Sequence, residues 1–310
     1  ITLHDVGVSE KFMLHAYGRR LNKILCEIRP DICVSVGGRD IFCLPSCTDG
    51  SIKVSEYHFS HDKYAVKYGG SFFGNIYARF RMRRIEKVAA KLDKFIVLTK
   101  SDKKDWEPFV PNVTSIYNPL TFKSEEVAAL DNEKCIAIGR LESQKNFRDL
   151  VAAWKYVAEE YPDWVLEIYG NGSLKESLQK QITSLGLDLQ VRLMGSSSDI
   201  RSKMLDSSCL VMSSAYEGFP MVLLEAVETG LPMVSYDCPK GPAEIIIDGK
   251  SGYLVKPGDV EGLARRVCDV ISDAGRRKEF GAMAKETAAQ YSIDRIMEQW
   301  KTLFEGLMAK

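Results

Sequence analysis

The sequence predicts an α/β chain of two doubly wound domains, and three observations carry that prediction. From Asp31 onward short apolar runs alternate with helical patterns, which is how a parallel sheet flanked by helices reads. A length of 310 residues suffices for two domains, each with its own core. At Asn118-Pro119 the alternation stops, and a polar, patternless stretch over 121–134 follows before it resumes, as an inter-domain linker does.

In the first part, apolar runs at 31–36, 52–57, 94–99 and 114–117 predict strands. Helices are predicted over 12–28 and 75–92, where apolar residues recur at three and four. Four strands are few for a domain of this type. The chain also opens on Ile1 rather than Met and runs straight into a helix-like stretch. The expectation is that this first domain is incomplete.

The second part is more regular. Strands are predicted at 135–138, 165–169, 191–194, 209–212, 232–236 and 252–255. Helices are predicted at 147–161, 174–185, 200–206, 220–229, 242–247 and 260–274. This is a complete doubly wound unit, whose ligands belong at the carboxyl ends of its strands. Helices at 277–290 and 293–308 follow without further strands. In the last of them Ile293, Ile296, Trp300, Leu303, Phe304 and Leu307 form an apolar stripe that requires a partner.

Composition narrows the function classes. Lys+Arg and Asp+Glu both total 42, so overall charge predicts no nucleic-acid partner. Locally the balance differs: residues 62–104 hold 12 basic side chains against Asp62, Glu86, Asp93 and Asp102. The helix around 79–91 mixes basic and apolar residues, so it is a candidate for peripheral contact with an anionic membrane, the plainer reading being a solvated face. Eight cysteines lie scattered without a C-x-x-C pair, and Cys33, Cys135 and Cys209 sit in apolar runs. A reducing, cytoplasmic setting is expected, at most peripheral at the inner face of a membrane. No signal peptide is visible, and no apolar run nears the roughly 18 residues of a spanning helix.

Four strand-end loops concentrate the chemistry. The most informative runs Glu217-Gly218-Phe219-Pro220-Met221-Val222-Leu223-Leu224-Glu225-Ala226. It joins a strand to a helix that starts near Pro220, whose free N–H groups and partial positive charge suit a phosphate. That helix is apolar nearly all round and should be buried, so Glu225 inside it is costly unless something binds it. The plain alternatives are a surface loop for Glu217, and solvent or a structural Arg for Glu225. In Gly139-Arg140-Leu141-Glu142-Ser143-Gln144-Lys145-Asn146, Arg140 and Lys145 leave one strand end, where two cations can neutralise a leaving diphosphate. On pattern alone a solvated pair is the commoner reading. Tyr169-Gly170-Asn171-Gly172 and Met194-Gly195 are small-residue turns that let backbone approach a ligand. In the first part, Glu56-Tyr57-His58-Phe59-Ser60-His61 closes a strand. A metal is not expected there, since strand residues alternate between faces.

These motifs together resemble the retaining family-4 glycosyltransferases, whose fold is GT-B: two Rossmann-like domains facing a cleft. Glu217 and Glu225 match the family's Glu-x7-Glu motif, and Ser213-Ser214-Ala215-Tyr216 before them is also similar. Gly139-Arg140-Leu141 with Lys145 resembles its donor loop. The resemblance implies that Glu217 meets donor-sugar hydroxyls near the reacting carbon and that Glu225 holds the ribose. It implies that Arg140 and Lys145 take the diphosphate, with backbone N–H groups of Met221 and Val222. Gly218 and Phe219 belong to the same donor loop, and Gly170 and Gly195 to neighbouring donor-site turns. His58 matches a histidine that faces the donor sugar, against the plainer reading of a hydrogen-bonded structural His. Asn118-Pro119 matches the end of the N-terminal domain, and the last helix is expected to return to that domain. The expected division is thus 1–122 with 293–310 on the acceptor side, and 133–292 for the nucleotide-sugar donor.

The implied reaction moves a hexose from a nucleoside diphosphate to an acceptor hydroxyl, with retained configuration, for a cell-surface polysaccharide or glycolipid. The loop Asp237-Cys238-Pro239-Lys240-Gly241-Pro242-Ala243-Glu244 resembles one in UDP-sugar users. The partners implied are the nucleotide sugar and a saccharide or lipid-linked saccharide. No cofactor and no metal are expected, since the chain has no Asp-x-Asp motif. The chain departs from the family at its start, where the opening strand and Gly-rich loop have no counterpart. The alternative is a catalytically inactive nucleotide-sugar-binding module.

Overall fold

The structure, a computed structural model, describes residues 10–309. The chain divides into two compact units, Ile1–Tyr117 with Ile296–Lys310, and Asn118–Arg295.

In the first unit the described elements are α1 (Glu10–Ile28), β1 (Ile32–Ser35), β2 (Ile52–Tyr57), α2 (Lys63–Tyr68), α3 (Phe72–Ala89), β3 (Lys94–Val97), α4 (Lys100–Trp106) and β4 (Val113–Ser115). The strands form one sheet in the order β1-β2-β3-β4, every neighbour parallel. Alternation along β3 sorts its side chains between two cores. Phe95 and Val97 join Met82, Ile85 and Trp106 on one face. Ile96 points the other way and meets Val54, Ile116 and Ile296. Ile296 belongs to α12 (Ile293–Met308), whose Trp300, Leu303 and Leu307 pack against the same cluster. The stripe read in the sequence is narrower than expected, for Ile293 stands exposed.

Two helices here escape the sequence pattern. α4 is mostly charged, yet Thr99 caps it by accepting from the Asp102 N–H at 3.0 Å. That cap ends β3 at Val97, short of the expected 99. Asp102 and Trp106 are buried together, the indole N–H donating to Asp102 Oδ2 at 3.0 Å. α2 spans six residues, too few for a period to show.

The second unit contains β5 (Lys134–Ile138), α5 (Phe147–Glu160), β6 (Val165–Tyr169), α6 (Lys175–Ser184), β7 (Val191–Gly195), α7 (Ile200–Leu205), β8 (Cys209–Met212), α8 (Met221–Glu228), β9 (Met233–Tyr236), α9 (Pro242–Ile245), β10 (Gly252–Val255), α10 (Val260–Ile271) and α11 (Ala274–Ala288). Where the sequence pattern runs one helix to 274, Asp273 caps a new one by accepting from the Arg276 N–H. The strands lie in the order β10-β9-β8-β5-β6-β7, all parallel. β8 and β9 are buried along their whole length, as covered parallel strands are. Strand order reverses between β5 and β8, and such a switch point opens a crevice at the carboxyl ends.

The stretch 121–134 is no bare linker. Ser124 donates its N–H to Glu228 Oε1 at 2.6 Å, and Ala128 donates its N–H to the Thr229 carbonyl at 2.8 Å. Arg277 Nε donates to the Leu130 carbonyl, and Ala128 and Leu130 are buried. A polar sequence hid this because backbone groups make the attachment.

Candidate active site

The switch point places the loop leaving β5 beside the loop leaving β8, and hydrogen bonds stitch them together. The Ala215 N–H donates to the Gln144 carbonyl at 2.8 Å. The Ser213 hydroxyl donates to the Lys145 carbonyl at 3.0 Å, and Gln144 Nε2 donates to the Tyr216 carbonyl at 3.1 Å. With both loops so held, Lys145 Nζ lies 2.6 Å from Glu217 Oε1. The two side chains are 17% and 8% exposed, so water screens the pair little. Beneath it Cys238 is buried. Burial and then the Glu217 carboxylate push its thiol well above the ordinary range, so it packs as a neutral group. The Ser214 hydroxyl is also buried in this loop, with no hydrogen-bond partner among the described residues.

Arg140 is placed differently. Its side chain is exposed, and among the described residues it makes one long hydrogen bond, to Gln144 Oε1 at 3.5 Å. The glycine turns bring backbone to backbone beside it. Gly139 donates its N–H to the Tyr169 carbonyl, and Gly170 donates to that of Gly195. Gly170 has φ +145, and a Cβ there would lie 1.8 Å from the Gly139 oxygen, so no other residue fits. Gly195 ends β7 on the same side of the sheet.

α8 begins at Met221 with Pro220 as its N-cap. The N–H groups of Met221 and Val222 therefore fall in the first turn, which has no intrahelical acceptors. Phe219 is buried with its ring 5.9 Å from that of Tyr291, so Gly218-Phe219 can serve a ligand only through backbone. Glu225 sits one turn into the helix and is half-buried rather than sealed. Burial raises its pKa, and a hydrogen bond from Thr121 offsets part of that rise. The carboxylate sealed in α8 is Glu228, which sequence reasoning passed over. It pairs with Lys285 at 2.8 Å as well as with the Ser124 N–H. Only an acidic residue at the end of an apolar helix signals it in the sequence.

In the first unit His58 follows β2 directly. Its Nε2 lies 3.3 Å from Glu56 Oε2, and that hydrogen bond raises its pKa against the opposing effect of burial. His61 is occupied elsewhere: Nε2 is 3.0 Å from Glu86 Oε1, and the ring stacks on Phe109. Among the described residues no group of three or more His, Cys, Asp or Glu is arranged to hold a metal ion. No described helix is long and apolar enough to cross a membrane.

Residues 121–287 match the profile of the family described as glycosyl transferases group 1. An uncharacterized glycosyltransferase of Haemophilus influenzae is 26% identical over 286 residues, 91% of this chain and 78% of its own. The amylovoran biosynthesis glycosyltransferase AmsD of Erwinia amylovora is 33% identical over 220 residues, covering 68% of this chain and 62% of its own. A variant of TarM from S. aureus, solved with fondaparinux, α-GlcNAc-glycerol and UDP, superposes with a TM-score of 0.72 at 25% identity. That match covers 82% of this chain and 51% of TarM, so the chain spans about half the length of that relative. With two parallel-sheet units of the GT-B fold and a family match across the second, the chain belongs to the group 1 glycosyltransferases.

Proposed function

We propose that this glycosyltransferase moves a hexose from a UDP-sugar to an acceptor hydroxyl with retention of configuration, in the assembly of a cell-surface polysaccharide or glycolipid. The observation that carries the reading is the Lys145–Glu217 pair, held at the switch point next to the first turn of α8. A nucleoside diphosphate laid there meets Lys145, Arg140 and the N–H groups of Met221 and Val222. An arriving diphosphate takes Lys145 from Glu217 and frees the carboxylate for the sugar's hydroxyls. As the anomeric carbon–oxygen bond breaks, the electron pair goes to the departing phosphate, where these fixed donors stabilise it. The acceptor oxygen bonds to the same face of that carbon and passes its proton to the departing phosphate oxygen. His58, whose pKa the Glu56 hydrogen bond raises, is assigned to the donor sugar on resemblance. Two cations and a helix N-terminus supply the charge, so turnover is expected to survive EDTA.

UDP is favoured because the TarM structure holds it and because of the 237–244 loop. The acceptor class follows the amylovoran relative. An acceptor carried on lipid would bring the protein to an anionic membrane face, and peripheral placement is part of this reading. The test is a screen of UDP-sugars against saccharide and lipid-linked saccharide acceptors, following UDP release and the anomeric configuration of the product. UDP binding without turnover on any acceptor would leave a nucleotide-sugar-binding module instead, and an inverted product would overturn retention.

A further inference from the structure

We propose that the outward face of α3, together with the turn that precedes it, is a docking surface for an anionic phospholipid bilayer. The proposal deepens the peripheral placement given above and rests on it for its biological sense, but it stands on this unit's own side chains.

α3 buries Ala78, Met82, Ile85 and Ala89 against its sheet. At 100° per residue those positions occupy one arc, and the opposite arc ought to be polar. Instead it carries Phe72, Phe73, Ile76, Tyr77 and Phe80, all exposed, with Phe72 at 75% and Phe73 at 81%. One turn further along, the same arc turns basic with Arg83, Arg84 and Lys87. No carboxylate lies among them, since the one acid of the helix, Glu86, is buried against His61. The helix therefore has two apolar faces, only one of which the fold uses.

Charge identifies the occupant. Positive groups also crowd the neighbouring α2. Lys63 sits with Nζ 3.1 Å from the Phe59 ring centroid, and burial followed by Lys67 and Arg81 lowers its pKa to about 8. Arg81 in turn lies over the Tyr64 ring. Convex aromatic side chains beside basic ones suit the headgroup boundary, where rings enter the acyl edge and cations stay with the phosphates. An exposed apolar patch of this kind marks an interaction surface.

The test is sedimentation of the full chain with vesicles of phosphatidylcholine alone, or of equal parts phosphatidylcholine and phosphatidylglycerol, without donor or acceptor. Binding is expected to the mixed vesicles, weakly or not at all to the neutral ones, and to weaken with salt. The double variant Phe72→Ser, Phe73→Ser should lose about 100-fold in partitioning, since each ring is worth roughly tenfold when buried. Arg83→Ser with Lys87→Ser should lose roughly tenfold or more, on the mixed vesicles only. All four positions are exposed, so thermal unfolding should not move, and that is checked first. Binding that ignores lipid charge, no binding to either vesicle, or unchanged binding by the phenylalanine variant would each overturn the proposal. So would a dimer on gel filtration that the phenylalanine variant dissolves, which would make the occupant a second copy. Vesicle binding without sugar transfer on any acceptor counts against the transfer reading alone, and transfer without vesicle binding counts against this surface alone.

Discussion

Before α8, Glu217 meets Lys145 at 2.6 Å; at its other end, Glu228 meets Lys285 at 2.8 Å. Both carboxylates are buried, and by distance the pairs are alike. Their surroundings differ. Lys285 Nζ donates to the Ser124 carbonyl, the Glu228 carbonyl and Glu228 Oε1, which uses all three of its protons. Glu228 accepts from the Ser124 N–H as well. Lys145 has only Glu217, and the Glu217 carboxylate only Lys145, among the described residues. A saturated pair fixes the chain that crosses it; an unsaturated one keeps capacity for a ligand. Distance alone would have ranked them equal, and the count of unused donors separates them.

The contrast breaks if the two lysines behave alike. Lys285→Ala strips a buried carboxylate of its cation and is expected to cost about 3–5 kcal/mol of stability. Turnover per folded molecule should hardly change. Lys145→Ala should lose about 3 kcal/mol of transition-state stabilisation, on the order of a hundredfold in turnover, with a smaller fall in unfolding temperature. Thermal unfolding and UDP release measured on both variants decide the matter. Similar losses on both axes would abolish the distinction.

Arg140 sharpens it. Exposed and held by one long contact, it is less preorganised than Lys145, so Arg140→Ala should reduce turnover by roughly tenfold, less than the lysine change. A larger loss for Arg140 would mean that preorganisation of the cation does not rank the two residues.

The second unit was largely legible because covered parallel strands read as short apolar runs, and because Glu217 and Glu225 stand at a telling spacing. Their setting was not. Lys145 and Glu217 are 72 positions apart, and they meet only because β5 and β8 are sheet neighbours. Strand order leaves no mark on local pattern. Ser124 and Glu228 are 104 positions apart, and their bond uses a backbone N–H that no side-chain pattern announces. On α3 the difficulty was one of phase. Apolar residues occur all round it, so sequence could identify a mixed basic helix over 79–91 but not which apolar residues the sheet would cover. The structure shifts the aromatic part upstream to 72–80.

Glu225 offers a smaller test through pH. Its folded-state pKa is raised, with burial as the first cause, so the folded state favours the protonated form more than the unfolded chain does. The stability this group contributes is present below its unfolded value and is lost as pH rises through the folded one. If Glu225 holds the ribose, as the resemblance implies, the ionised form is the better acceptor for its hydroxyls, and binding runs the other way. UDP affinity should fall on acidification at a higher pH than an ordinary glutamate would give. Glu225→Gln should weaken UDP by about 1–3 kcal/mol and flatten that pH dependence. Glu217→Gln should leave UDP affinity nearly unchanged while turnover drops. Calorimetric titration of UDP across the acid range supplies the check, and the same response from both variants would erase the division of roles.

The smallest expected effect concerns His58, in the other unit. Glu56 and His58 are two positions apart at the end of β2, so their side chains share a face, and the 3.3 Å contact follows. The Glu56 hydrogen bond is the first cause of the raised His58 pKa, with burial pulling the other way. The stability gained from this charge is therefore present below the ordinary histidine value of about 6.5 and is lost as pH rises through the higher folded value. His58 is 39% exposed, so the stabilisation is small and heavily screened. The titration itself is the sharper readout. Following the ring proton by NMR, His58 should titrate above the ordinary value, and Glu56→Gln should bring it down. If a protonated His58 donates to the donor sugar, the alkaline limb of turnover should move to lower pH in Glu56→Gln by the same amount. A ring pKa that falls while the limb stays put would leave His58 a structural residue, outside the chemistry.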